Sequence, residues 1–377
     1  MDSRLRGNDG ESVLRFWNGV EYSRFQPKTP ETCYFSVLRL KCKPPAGKNH
    51  MRRFVTRLNS TLAAALLACA GYAAAQPTYP SKAVRFIVPY AAGGSVDPLT
   101  RLFSVRLTES LNQPMIVDLR PGGNTVIGSE LVAKAAPDGH TLLVMTVPNH
   151  TINALLMPNL PYDSIKDFAP VAAFATSDYV LMLHPSVPAD NLKAFIAFAR
   201  TRPGQLNYGS VGSLGISQLG TELFGVMSGV KMQRVPYKGS ALAIVDLVGG
   251  QLQVGFYTPI SSMQYVRARR LKAIAISGER RASALPDVPT FAEADLPGFE
   301  MRVTYAVLAP AATPRAVIDK MSGEFARLVA LPDMRERLAV QGMVPFYATP
   351  EQLAGLIRAD LAKYDKVIKV SGLAMEK

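Results

Sequence analysis

Short apolar runs alternate along this chain with glycine-bearing turns and with stretches whose apolar positions recur at helical spacing. The clearest unit spans residues 85–101. Phe86, Ile87 and Val88 predict a strand, Gly93 and Gly94 a turn, and Ser95 or Asp97 with Pro98 the start of a helix. A strand that feeds a helix through glycines leaves unpaired N–H groups and a partial positive charge facing outward, which is a place for an anion. The glycine spacing is not that of a dinucleotide turn, and no Gly-Lys-Ser/Thr follows as in a phosphate loop. An ordinary strand-to-helix turn is the other reading of this stretch alone.

The unit recurs. Residues 115–120 read as a strand, Pro121 to Gly128 as a glycine loop and 129–136 as a helix, with 140–146 a third strand and 147–151 its exit loop. Residues 180–183 carry the chain into a second lobe. There a helix over 191–200 precedes a strand and glycine loop over 207–213, an amphipathic stretch over 214–227, a strand over 232–237 and a helix over 241–248. Strands over 253–258 and 271–277 close that lobe. Residues 280–300, rich in proline and acid, read as a surface connection. A strand over 303–308 returns, followed by helices over 314–330, 332–341 and 350–370. The alternation predicts an α/β protein with parallel sheets covered on both faces and ligands at the carboxyl ends of the strands. The expected division is a first lobe from 76–178 and 303–377 and a second lobe over 179–302, with a cleft between them.

The front of the chain changes the picture of composition. Residues 1–50 hold the only Trp and two of the three Cys and show no clear amphipathic period; we expect them to be an over-long translation. From Met51, the positive residues Arg52, Arg53 and Arg57, an apolar core over 62–68 and a small-residue site at 73–75 predict a signal peptide over 51–75. Cys69 after Leu-Leu-Ala also fits a lipid-anchor signal as a second reading. Either way the expected destination is the periplasm. The first 75 residues carry 12 of the 42 Lys and Arg and 5 of the 29 Asp and Glu, so the formal +13 falls to +6 for the rest. That mild charge suits small anions and excludes a nucleic-acid surface of basic and aromatic residues. With every Cys before residue 76 and three His left without ligand spacing, no metal and no cofactor is expected.

Taken together, Pro89 to Asp97, Arg120-Pro-Gly, Ala133 to Leu142, Leu160-Pro-Tyr-Asp163, Val235-Pro-Tyr-Lys-Gly-Ser240 and Asp287 to Glu293 resemble the successive signatures of Bug-type substrate-binding receptors of tripartite tricarboxylate transporters. The resemblance runs over 79–372. It implies a periplasmic binding protein-like, two-lobed monomer without catalytic activity, which captures a small organic acid and hands it to membrane permease subunits. It also implies that the carboxylate is held by the first two strand-to-helix loops, matching Tyr90, Ala92, Gly93, Gly94, Ser95 and Asp97 and then Asn124, Thr125 and Val126. Thr146, Asn149 and His150 match after the third strand, and Ser210, Gly212, Ser213 and Tyr257 in the second lobe. The chain departs from the family's usual pattern at Asn124-Thr125-Val126, where glycines and a small polar residue are common, and at Gln218, Tyr257 and Thr304.

Several of these residues carry two readings. Asp97 either selects an amino group or caps its helix. His150 either donates to a carboxylate or is structural, and Tyr237 and Tyr257 either wall a ligand or fill strand ends. A hydrolase is disfavoured, because no Gly-x-Ser-x-Gly elbow exists and Gly209 to Ser213 has the wrong spacing. A receptor that signals through a sensor protein needs the same closure as a transport receptor.

Overall fold

The computed structural model describes residues 78–211 and 215–371. The expected leader, Cys69, Gly212 and Ser213 lie outside them. Eleven strands form two sheets among the described residues. In the first sheet, β1 (Val84–Val88) lies between β2 (Met115–Leu119) and β3 (Thr141–Thr146), both parallel to it. Outside them run β10 (Arg302–Pro310), β4 (Phe168–Asp178) and β11 (Val344–Ala348), all antiparallel to their neighbours. In the second sheet, β6 (Asn207–Val211) is parallel to β7 (Gln233–Tyr237) and β8 (Val254–Tyr257), and β5 (Val180–Leu183) lies antiparallel between β8 and β9 (Lys272–Ile276).

The sheets are therefore mixed rather than parallel throughout. Parallel pairs come from strand-helix-strand units, whereas a chain that leaves one sheet and later returns to it runs back alongside itself. The pair β4 and β10 is that double crossing, paired from Arg302 opposite Asp178 to Pro310 opposite Phe168 with register shifts between Tyr305 and Ala306 and between Val307 and Leu308. At the crossing, Arg302 and Asp178 form an ion pair of 2.8 Å, and the Ser277 hydroxyl joins the Met301 carbonyl to the Tyr179 N–H. β4 is long, apolar and alanine-rich, and it has no clear period to mark it in the sequence.

The helices cover both sheets: α1 (Val96–Leu111), α2 (Val126–Ala133), α3 (Val147–Leu156), α4 (Leu192–Arg200), α5 (Ile216–Ser228), α6 (Ser240–Val248), α7 (Pro259–Arg267), α8 (Arg315–Ala330), α9 (Pro332–Val340) and α10 (Pro350–Ser371). α3 replaces the expected exit loop at 147–151. Thr146 is extended, and Pro148 falls in the first turn, where its missing N–H costs nothing. Each lobe has its own aromatic core. Phe103, Phe174 and Phe325 meet in the first, with the first two centroids 4.8 Å apart, and Phe224, Phe256, Phe291 and Phe299 in the second, with the last pair at 4.5 Å. Phe291 and Phe299 belong to the segment expected to be a surface connection, which is irregular but pinned by its aromatics. α10 joins the two cores, giving Leu353 and Ile357 to the first and Tyr364 to the second. No helix among the described residues is long and apolar enough to cross a membrane.

Candidate ligand-binding cleft

Two adjoining chambers lie between the sheets and share Tyr90, Asn149 and Val211. The first is small, about 50 Å³, and the second about 410 Å³. A single water needs roughly 10–15 Å³ on this measure, so the first has room for a carboxylate-sized group and the second for a larger body.

The backbone explains what the first chamber can hold. It is lined by the leading residues of five helices: Ser95 of α1, Thr146 of α3, Ile216 of α5, Ser240 of α6 and Thr258 of α7. None of these helix starts is capped by its own side chain. These helix starts, the Ile216 N–H among them already donated to Asn149, surround a space lined by no charged side chain among the described residues. Tyr305, on the crossing strand β10, is fully buried, and its hydroxyl faces Ser95 of one lobe and Thr258 of the other without a hydrogen-bond partner among the described residues. Burial raises that hydroxyl's pKa, so it stays a donor. Beside it, Tyr90 is pushed up to about 12 by burial, and its hydroxyl lies 3.0 Å from that of Thr146.

The first two loops reach similar shapes by different means. In the first, Gly93 takes φ +77°, and its N–H donates to the Asp97 carboxylate at 3.1 Å, while the other oxygen of Asp97 accepts from Arg101 at 2.7 Å. In the second, Asn124 and Thr125 take φ +53° and +76°. Such an angle is a genuine outlier for a β-branched threonine. Asn153 on α3 holds it: its amide donates to the Asn124 carbonyl at 2.7 Å and the Thr125 hydroxyl at 3.0 Å, and its oxygen accepts from the Asn124 amide at 2.6 Å.

The lobes touch across the cleft. Asn149, one turn before Asn153 on the same face of α3, accepts from the Ile216 N–H of the second lobe at 3.3 Å. A Cβ on Gly239 would stand 2.9 Å from the Ala91 Cβ, so the first loop and the turn before α6 meet where only a glycine fits.

Of the residues singled out in the sequence, Tyr90, Gly94, Ser95, Thr146, Asn149 and Tyr257 line the first chamber and Asn124 and Thr125 the second. Ala92, Gly93, Asp97, Val126 and Ser210 line neither. Asp97 serves its own loop rather than facing the cleft. His150 points inward instead: it is buried, 2.7 Å from the Ser164 carbonyl, and burial holds its pKa down to about 4. His140 packs edge-on against Tyr79, and His184 sits by Ser186, so no described histidine lines a chamber. Tyr257 covers Gly209 and Gly255 as a strand-end core residue whose edge reaches the chamber. Tyr237 lines the second chamber and donates to Asp246 at 2.6 Å.

Asn153, Tyr305, Ile216, Gly239 and Lys238 were missed as site residues. The signal for Gly239 and Lys238 was present in the loop before α6, which has the strand-turn-helix pattern of the others. Asn153 had none once 147–151 was read as a loop.

The family model described as the tripartite tricarboxylate transporter family receptor matches residues 99–373. The chain belongs to this receptor family. It is 34% identical over 314 residues to protein BugT of Bordetella pertussis, covering 82% of this chain and 96% of that protein. A solved structure described as a periplasmic transporter is 39% identical, with a TM-score of 0.76, covering 79% of this chain and 99% of that one. Rpa4515 of R. palustris, solved with adipate, is 32% identical, with a TM-score of 0.77 and the same coverage. This likeness carries the two-lobed periplasmic binding protein fold over to the receptor and accords with its two mixed sheets.

Proposed function

We propose that this receptor is exported through the leader over 51–75 and captures a small organic acid between its lobes for delivery to membrane permease subunits of a tripartite transporter. The observation that carries the binding reading is that the starts of five helices, none capped by its own side chain, line one space that holds no charged side chain among the described residues. Dipoles and N–H groups of that kind hold a carboxylate without a salt bridge. Such binding is readily reversible, as capture and release require. The adipate bound by Rpa4515 supports the same class of ligand. Contacts from both lobes give the ligand more partners in the closed form, so binding shifts the lobes toward closure. The absence of a histidine from the chamber linings disfavours a hydrolytic triad among the described residues.

Calorimetric titration of the purified protein, stripped of endogenous ligand, against mono-, di- and tricarboxylates, aromatic acids and amino acids tests this reading. One-to-one binding without turnover is expected. Binding of no carboxylate would overturn it. Sequencing the N-terminus of the exported protein is expected to read from Gln76.

A further inference from the structure

The crossing strands border a separate cavity on their other side. Side chains alternate along β10, so Tyr305 faces Ser95 and Thr258 while Arg302 and Thr304 face away, into a space of about 230 Å³. That cavity shares no residue with either chamber of the cleft. Its walls are the adjoining ends of β4 and β10, the segment after β9 in the second lobe, and one face of α10.

The charge there is net negative. Four carboxylates and two cations line the cavity. Arg302 is paired with Asp178 at 2.8 Å and Lys363 with Glu300 at 3.3 Å, which leaves Glu279 and Asp360 with no ion pair or hydrogen bond among the described residues. Burial raises the Asp360 pKa to about 6 against the pull of Lys363. A second observation points to a ligand. The Tyr364 side chain is 5% exposed and lines the cavity near Asp360 and Glu300, and its hydroxyl has no hydrogen-bond partner among the described residues. Buried hydroxyls are ordinarily paired, and this one has acceptor capacity for a cationic N–H.

A metal ion does not suit the place, because no three acidic or histidine side chains among the described residues are grouped as a metal centre requires. Carboxylates spread over two lobes suit a cation whose charges are also spread. Leu356 and the Tyr364 ring offer an apolar wall to a methylene chain between those charges.

We infer that the cavity behind the crossing binds an alkyl diamine, one ammonium at Asp360 and Tyr364 and the other at Glu279. This site is distinct from the acid cleft and does not rest on the proposed acid capture.

The test is titration of the full protein at neutral pH and low salt with 1,4-diaminobutane and 1,5-diaminopentane, against butylamine, pentylamine and magnesium chloride. At least one diamine is expected to bind one-to-one and about tenfold tighter than its monoamine, the scale of one hydrogen bond to a charged group. Asp360→Asn and Glu279→Gln should each remove that advantage without lowering the thermal midpoint. Affinity should fall as salt is raised, and rise as pH is raised through about 6, where Asp360 ionises. Ser95→Ala, in the first chamber, should leave diamine binding unchanged. No diamine binding, magnesium or a monoamine binding as tightly as its diamine, an advantage that survives both carboxylate variants, or a loss in Ser95→Ala would each overturn the inference and leave acid capture standing.

Discussion

The first and second loops of the cleft do one job with opposite materials. Gly93 enters the left-handed region because it has no Cβ, and one carboxylate steadies it. Asn124 and Thr125 enter the same region against their preference and are kept there by three hydrogen bonds to a buried side chain from another helix. Glycine makes a loop that is locally self-sufficient. Clamped side chains make one whose shape belongs to α3, and α3 also carries the Asn149 link to the second lobe. Strain that persists only because its surroundings enforce it is characteristic of functional sites.

The comparison is broken most directly by Asn153→Ala. Removing three hydrogen bonds and leaving their partners unpaired should cost about 3 kcal/mol of stability and more than tenfold in affinity for the acid that binds best. Denaturant unfolding and titration measure the two. Adding Asn124→Gly and Thr125→Gly should recover much of both losses, because the loop then needs no clamp. Failure of the glycines to recover either would mean that Asn153 acts elsewhere than on the loop.

Acid sharpens the contrast. The unfolded chain binds the His150 proton near 6.5 and the folded chain only near 4, so in that window the unfolded state holds more protons and stability falls as pH falls, by up to about 3 kcal/mol. Asp360, pushed up to about 6 by burial, works in the opposite sense over part of the window, so the informative quantity is the pH slope of wild type against His150→Phe. As pH falls from 6.5 to 4, the stability of the variant should rise relative to wild type by up to about 3 kcal/mol. Hydrogen exchange near pH 5 should speed up at 123–126, which depend on α3, before it does at 91–95. Equal change in both loops would remove the distinction.

The smallest effect is expected at the contact between the first loop and the second lobe. Gly239 has φ −176°, open to any residue, so Gly239→Ala acts through the new Cβ against Ala91 alone. It should hold the lobes slightly apart and weaken binding about tenfold with little loss of stability. An unchanged affinity would show that closure does not require this approach.

Much of the fold was legible because it is written locally. The runs at Val84–Val88, Met115–Leu119 and Thr141–Thr146, each followed by a turn and a helix, announce strand-helix units by composition and spacing alone. The elements that hid were β4, whose alanines suit close packing more than any period, β11, and α3, whose start at Val147-Pro-Asn-His reads as a loop until its packing is known. Tyr90, Ser95 and Thr146, which line the first chamber, stood out in the sequence because each lies at the end of a legible strand or the start of a legible helix.

What the sequence determined by itself is therefore the α/β alternation and the placing of helix starts after strands. Each follows from interactions within a few residues. The tertiary structure decided which helix starts share a chamber, that His150 turns inward while Asn149 turns to the cleft, that Asn153 sustains a loop 28 residues earlier in the chain, and that Lys238 is, among the described residues, the one charged side chain lining the second chamber. Those outcomes depend on how two sheets pack across a double crossing, a long-range arrangement that no local window of the chain contains.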